Sequence, residues 1–123
     1  MIDEEEARAL VVVLLKSLAE SGSLDLGDQL EGLSMEMIDD DGSYSLRPRE
    51  TVPESEVSGV VVDAEAVDSD GETVYCLLHV QHGRLFEMEL YRGDGRTVIA
   101  TFGRSDFKVV YPGVARQGRG RHD

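Results

Sequence analysis

Two hydrophobic periods divide the chain. Ala7, Leu10, Val11, Leu14, Leu15 and Leu18 recur at the three- and four-residue spacing of one helical face. Asp3 and Glu6 stand three residues apart just ahead of this run, the spacing of a capping box, and acids suit the positive end of a helix. Val12 and Val13 widen the stripe and predict a well-buried helix, which Ser21-Gly22 ends because glycine takes the left-handed cap conformation at little cost. Leu26, Leu30 and Leu33 suggest a second, short helix, weakened by Gly27 and Gly32.

From Ser34 the period falls to two. Asp41-Gly42, Asp70-Gly71, His82-Gly83 and Asp94-Gly95 punctuate strand-like segments, and such dipeptides accept the positive φ angles of tight hairpin turns. The strands predicted are Met35–Asp40, Ser43–Arg47, Val57–Val67, Glu72–Val80, Leu85–Arg92 and Arg96–Phe102, with a marginal seventh at Phe107–Tyr111. Pro48 and Pro53 mark the loop between the first hairpin and the longer meander. The fold class expected is α+β. An N-terminal helix and a short second helix pack on one face of a largely antiparallel, meandering sheet of five to six strands. Residues 1–112 read as a single domain and residues 113–123 as a disordered basic tail.

Two-residue loops at every turn would set the register, and with it the faces. Val62, Ala64, Ala66, Tyr75, Leu77, His79, Phe86, Met88, Leu90 and Ile99 then form the face under the helix. The other face carries Val61, Val67, Val74, Cys76, Leu78, Val80, Leu85, Tyr91 and Val98, interrupted by Asp63, Glu65, Glu87 and Glu89. An apolar strip rimmed by carboxylates has the layout of an interface, with an apolar centre and a charged edge.

Charge sharpens this picture. The formal net charge is −13, with 20 acids against 4 bases in residues 1–75 and 5 against 8 in residues 76–123. Such a surface repels phosphate and anionic lipid and attracts basic partners, so neither nucleic acid nor membrane is an expected partner. The longest apolar run, Ala9 to Leu15, is far short of the roughly 20 residues that span a bilayer. The chain opens on acids where a signal peptide carries positive charge, which makes a cytoplasmic location the expectation.

Little in the sequence points to catalysis. The single cysteine, Cys76, has no partner for an intramolecular disulfide and reads as a small buried hydrophobe. A Cys76–His79 pair is disfavoured, since residues three apart on a strand point to opposite faces. Asp39-Asp40-Asp41-Gly42 and Asp68-Ser69-Asp70-Gly71 lack the ligand positions of a calcium loop and read as hairpin turns. Asp63, Glu65, Glu87 and Glu89 on an open sheet face lack the cleft that paired-carboxylate catalysis needs. No cofactor and no metal is expected.

Two stretches resemble a known family. Ile38-Asp-Asp-Asp-Gly-Ser-Tyr-Ser-Leu46-Arg47 and Val74-Tyr-Cys-Leu-Leu-His-Val-Gln-His-Gly-Arg-Leu-Phe-Glu-Met-Glu-Leu-Tyr91 are similar to the DDGxxGSL and LLHVxxGxLxELExY hairpins of a bacterial family of small uncharacterised domains. The sequence departs at Tyr44, where that pattern prefers glycine. The resemblance supports the α+β fold, transfers no catalytic residue, and suggests an immunity- or accessory-type role.

The function expected is therefore a non-enzymatic protein-binding domain. Its acidic surface, built from Asp63, Glu65, Cys76, Leu78, Val80, Leu85, Glu87 and Glu89, would dock a basic protein partner or a second copy of the chain. The alternative is a small ligand-binding domain or enzyme with a pocket between helix and sheet around Tyr75 and His79.

Overall fold

An aspartate carboxylate starts the helix. In the computed structural model, which describes residues 2–112, Asp3 Oδ1 accepts the amide of Glu6 at 2.9 Å, and α1 runs Glu4–Glu20. Glu6 does not complete the expected capping box, because its carboxylate instead accepts the amide of Arg104 at 3.1 Å. Gly22, at φ +80°, closes the other end by donating to Ala19 O. The six residues of the predicted stripe are buried, whereas Val12 and Val13 face solvent, so the helix is covered on one side only.

The second helix is a single 3-10 turn, Gly27–Leu30. It positions Gln29, whose buried side-chain amide donates to Gly83 O at 2.7 Å and accepts the amide of Leu85 at 2.8 Å. One glutamine thus satisfies both free backbone groups at a hairpin end, as a neighbouring strand would.

The strands are β1 (Ser34–Met37), β2 (Tyr44–Arg47), β3 (Gly59–Val67), β4 (Thr73–Gln81), β5 (Arg84–Arg92) and β6 (Lys108–Pro112). They form one six-stranded sheet in the order β1-β2-β5-β4-β3-β6, antiparallel throughout, with α1 against one face. The α+β expectation holds, and the marginal seventh segment is a true edge strand. Residues 113–123, the expected basic tail, lie outside the described residues.

Arg96–Phe102, expected as a strand, pairs with none. Its amides go to carboxylates instead: Val98 to Asp41 at 2.7 Å, Ile99 and Ala100 to Asp68 at 2.9 and 2.8 Å. Asp68 also accepts from Arg92, which is only 3% exposed and further reaches Asp70 and Asp94. Two loops therefore converge on one buried guanidinium, and the turn after β1 joins them through Asp41. The two Asp-Gly motifs weighed as calcium loops are turns, with Asp39 accepting the amides of Asp41, Gly42 and Ser43.

The register differs from two-residue loops at the turn after β3. There Asp68 pairs its amide with Glu72 O, which leaves three loop residues closed by Gly71 at φ +91°. Ala64 consequently lies opposite Cys76 and not Leu77. His82 and Gly83, at φ 53° and 80°, do form the expected two-residue turn, and Val80 pairs with Leu85. One residue later, however, Phe86 bulges out, so that His79 faces Glu87 and Leu78 faces Met88. Both shifts turn β4 over relative to its neighbours. Val74, Cys76, Leu78 and Val80 join Val62, Ala64, Ala66, Met88 and Leu90 in the core. Tyr75, Leu77 and His79 move to the face away from the helix.

Candidate functional site: the helix-free face of the sheet

Cross-strand partners share a face, and their Cβ atoms lie roughly 5 Å apart. Three rows therefore describe the surface opposite α1. Glu87 lies between Ser45 on β2 and His79 on β4. Glu89, Leu77, Asp63 and Tyr111 run across β5, β4, β3 and β6. Tyr91, Tyr75, Glu65 and Lys108 form the third row, and the rings of Tyr91 and Tyr75 stack at 5.2 Å. His79 donates from Nε2 to Glu89 Oε1 at 2.8 Å, a diagonal contact that ties the first row to the second. Phe86 is the bulged residue at the end of β5 and is 47% exposed.

Asp63, Glu65, Glu87 and Glu89 thus share one face, as the alternation predicts. Cys76, Leu78, Val80 and Leu85 do not join them. All four are buried in the core, because the slip in register sends alternate residues of β4 inward and Leu85, paired with Val80 ahead of the bulge, follows them. The apolar and aromatic part of the acidic face is made instead by Leu77, Tyr75 and Tyr91. Tyr75 and His79 lie on the side away from α1, so they do not line a space between helix and sheet as expected.

The carboxylates crowd one another. Burial raises the Glu87 carboxyl above its ordinary range, His79 opposes the shift, and the negative charges of Glu89 and Asp39 add to it. A carboxyl that already resists ionisation, as Glu87 does, gains from a nearby cation. Among the described residues no group of three or more His, Cys, Asp or Glu side chains is arranged to hold a metal ion.

The family model for Domain of unknown function (DUF6984) matches residues 2–101, α1 through the segment after β5. The chain belongs to that family. No curated protein and no solved structure matches this domain. The matched span contains α1 and five of the six strands, including all four face carboxylates, and stops before β6. No helix among the described residues of the domain is long and apolar enough to cross a membrane.

Cys76 carries a direct check on the corrected geometry. Burial first, then the charges of Asp63 and Glu89, push its thiol far above the ordinary range, and the side chain is wholly covered. Thiolate is the reactive form. Ellman's reagent should therefore label the folded domain roughly 1000-fold or more slowly than the urea-unfolded chain, which should release one equivalent at once. Rapid labelling of folded protein would place Cys76 on the open face.

Proposed function

We propose that this domain is a non-enzymatic protein-binding module whose helix-free sheet face docks a basic protein partner, in an immunity- or accessory-type role. The observation that carries the reading is the composition of that face: Leu77 and the stacked Tyr75–Tyr91 pair amid Asp63, Glu65, Glu87 and Glu89. Tyrosine brings large contact area at low entropic cost, and charged groups around an apolar centre favour one class of partner over another. The net charge of −13 steers a basic protein toward the domain and disfavours a second copy, whose identical acids would meet these head-on.

The test separates the face from bulk charge. Affinity capture at low and high salt uses wild type, the face variant Glu87→Lys/Glu89→Lys, and the control Glu20→Lys/Glu56→Lys, which makes the same change in net charge at exposed sites. The partner bound by wild type should bind the control with similar affinity and the face variant about 10- to 100-fold more weakly. Equal affinity for wild type and face variant would remove the proposal. Light scattering should show a monomer, and a salt-resistant dimer lost in the face variant would make a second copy the occupant.

A further inference from the structure

A cleft of about 320 Å³ opens where β2 and β5 part company. The two strands pair only at Tyr44–Met88 and Ser45–Glu87. Beyond that point the bulge at Phe86 breaks the register and the pairing stops, leaving Arg47, Phe86 and the His82 turn around an open space. Such a volume lies in the range of small-molecule sites.

Its charge runs against that of the chain. The titratable residues lining it are Arg47, Arg84, His82 and Glu54. Arg84 donates to the carbonyls of Pro48, Arg49 and Val52, which fixes the loop as the cleft's outer wall. Neutral carbonyls satisfy its hydrogen-bonding groups without cancelling its charge. Arg47 is exposed and makes no ion pair among the described residues. Two guanidinium groups thus stand against one carboxylate, inside a chain of net charge −13.

The His82 turn adds a second, independent observation. His82 is held at φ 53°, at the first central position of a two-residue turn where asparagine or glycine sits with less strain. Gly83, at φ +80°, is needed there, because a Cβ would meet Ser55 Oγ at 2.3 Å. Nothing comparable requires histidine at position 82: its amide donates to Ser58 Oγ and its carbonyl accepts from Ser55, contacts that any residue makes. His82 lines the cleft and is exposed. A residue held in a costly conformation beside a pocket points to a use for its side chain.

We infer that this cleft binds a small organic oxyanion, a carboxylate or phosphate monoester, with Arg47 and His82 as donors to the anion and Phe86 as the wall for its apolar body. A planar guanidinium matches either group in a bidentate pair. The inference stands apart from the acidic face, because it takes a ligand of opposite charge at the sheet's end.

The experiment is an amide-resolved NMR titration of the full chain with benzoate, phenyl phosphate and inorganic phosphate at constant ionic strength. Saturable shifts confined to residues 45–48 and 81–87 are expected, with the ring-bearing probes binding more tightly than inorganic phosphate. The ratio of benzoate to phenyl phosphate affinity identifies which head group the cleft prefers. Arg47→Gln should weaken binding about tenfold or more, through loss of its charge-assisted pair with the anion. Arg104→Gln, an exposed arginine elsewhere, should leave it unchanged. His82→Asn should raise Tm while weakening binding, a combination that a purely structural histidine would not produce. Absence of saturable shifts in the cleft, equal loss in Arg47→Gln and Arg104→Gln, or no preference for the ring-bearing probes would overturn the inference.

Discussion

Replacing Arg92 by methionine should lower Tm by roughly 10–20 °C in thermal melts followed by circular dichroism. The guanidinium is buried and offsets Asp68, Asp70 and Asp94 at 3.0, 3.0 and 2.6 Å. Removing it leaves a buried carboxylate unpaired and three acids facing one another, which is costlier than never having built the pair. Asp68→Ala should be comparably damaging for a different reason, since the amides of Ser69, Ile99 and Ala100 lose their acceptor together with Arg92. Asp94→Ala should cost much less, because its carboxylate is partly exposed and exposed pairs contribute little. Equal melting of the Arg92→Met and Asp94→Ala variants would mean that the cluster is an ornament of the surface.

The same cluster sets how the domain responds to acid. Burial alone would raise the Asp68 carboxyl, but the amides of Ile99, Ala100 and Ser69 and the Arg92 guanidinium outweigh it and hold the group at about 2. Hydrogen bonding to Arg92 is the leading cause that lowers Asp70 and Asp94 as well. Each group binds its proton more weakly folded than unfolded. Their contribution is therefore complete above the unfolded carboxylate value of roughly 4 and is lost as pH falls toward 2. Glu87 works the other way: its raised carboxyl binds the proton more tightly when folded, so acidification relieves strain there. Urea midpoints should fall steeply between about pH 4 and 2 in wild type and more shallowly in Arg92→Met. Parallel slopes would assign the acid limb to other carboxylates.

What the sequence disclosed and what it hid follow from the range of the interactions. Helix α1 was legible because its period is local: Ala7 to Leu18 mark the buried face and Asp3 the cap. Turns were legible because Gly42, Gly71, Gly83 and Gly95 all take positive φ. The segment 96–102 alternates like a strand, yet its amides are satisfied by Asp41 and Asp68 from elsewhere in the chain, a partnership that no local pattern encodes. The cleft depends on a bulge at Phe86 and was equally hidden, although a histidine in a position that favours asparagine was visible from the start. Arg92 gave a fainter signal, a lone base between acid-bearing turns. For the candidate face, the acids on β3 and β5 fell where alternation puts them, while β4 between them did not.

Leu78→Ala should destabilise the domain by about 2–5 kcal/mol, and Leu77→Ala by less than about 1 kcal/mol, in matched urea titrations. The two residues are neighbours of the same type, so propensity and composition cancel and only the face remains. Strand β4 reads Thr-Val-Tyr-Cys-Leu-Leu-His-Val-Gln, apolar at alternate positions on both sides, which is why its pattern could not choose an orientation. The choice is made by geometry at its two ends: a three-residue loop after β3 and the bulge at Phe86 each displace pairing by one residue. Leu78 ends fully buried against the helix layer, and truncating it leaves a cavity in a close-packed core. Leu77 ends between Glu89 and Asp63 on the open face, where truncation removes little buried surface. The same residue should matter in the opposite order for partner binding, with Leu77→Ala weakening capture of the basic protein and leaving the fold intact. A larger loss of stability at Leu77 than at Leu78 would return β4 to the register of two-residue loops and, with it, put Cys76, Leu78 and Val80 back on the acidic face.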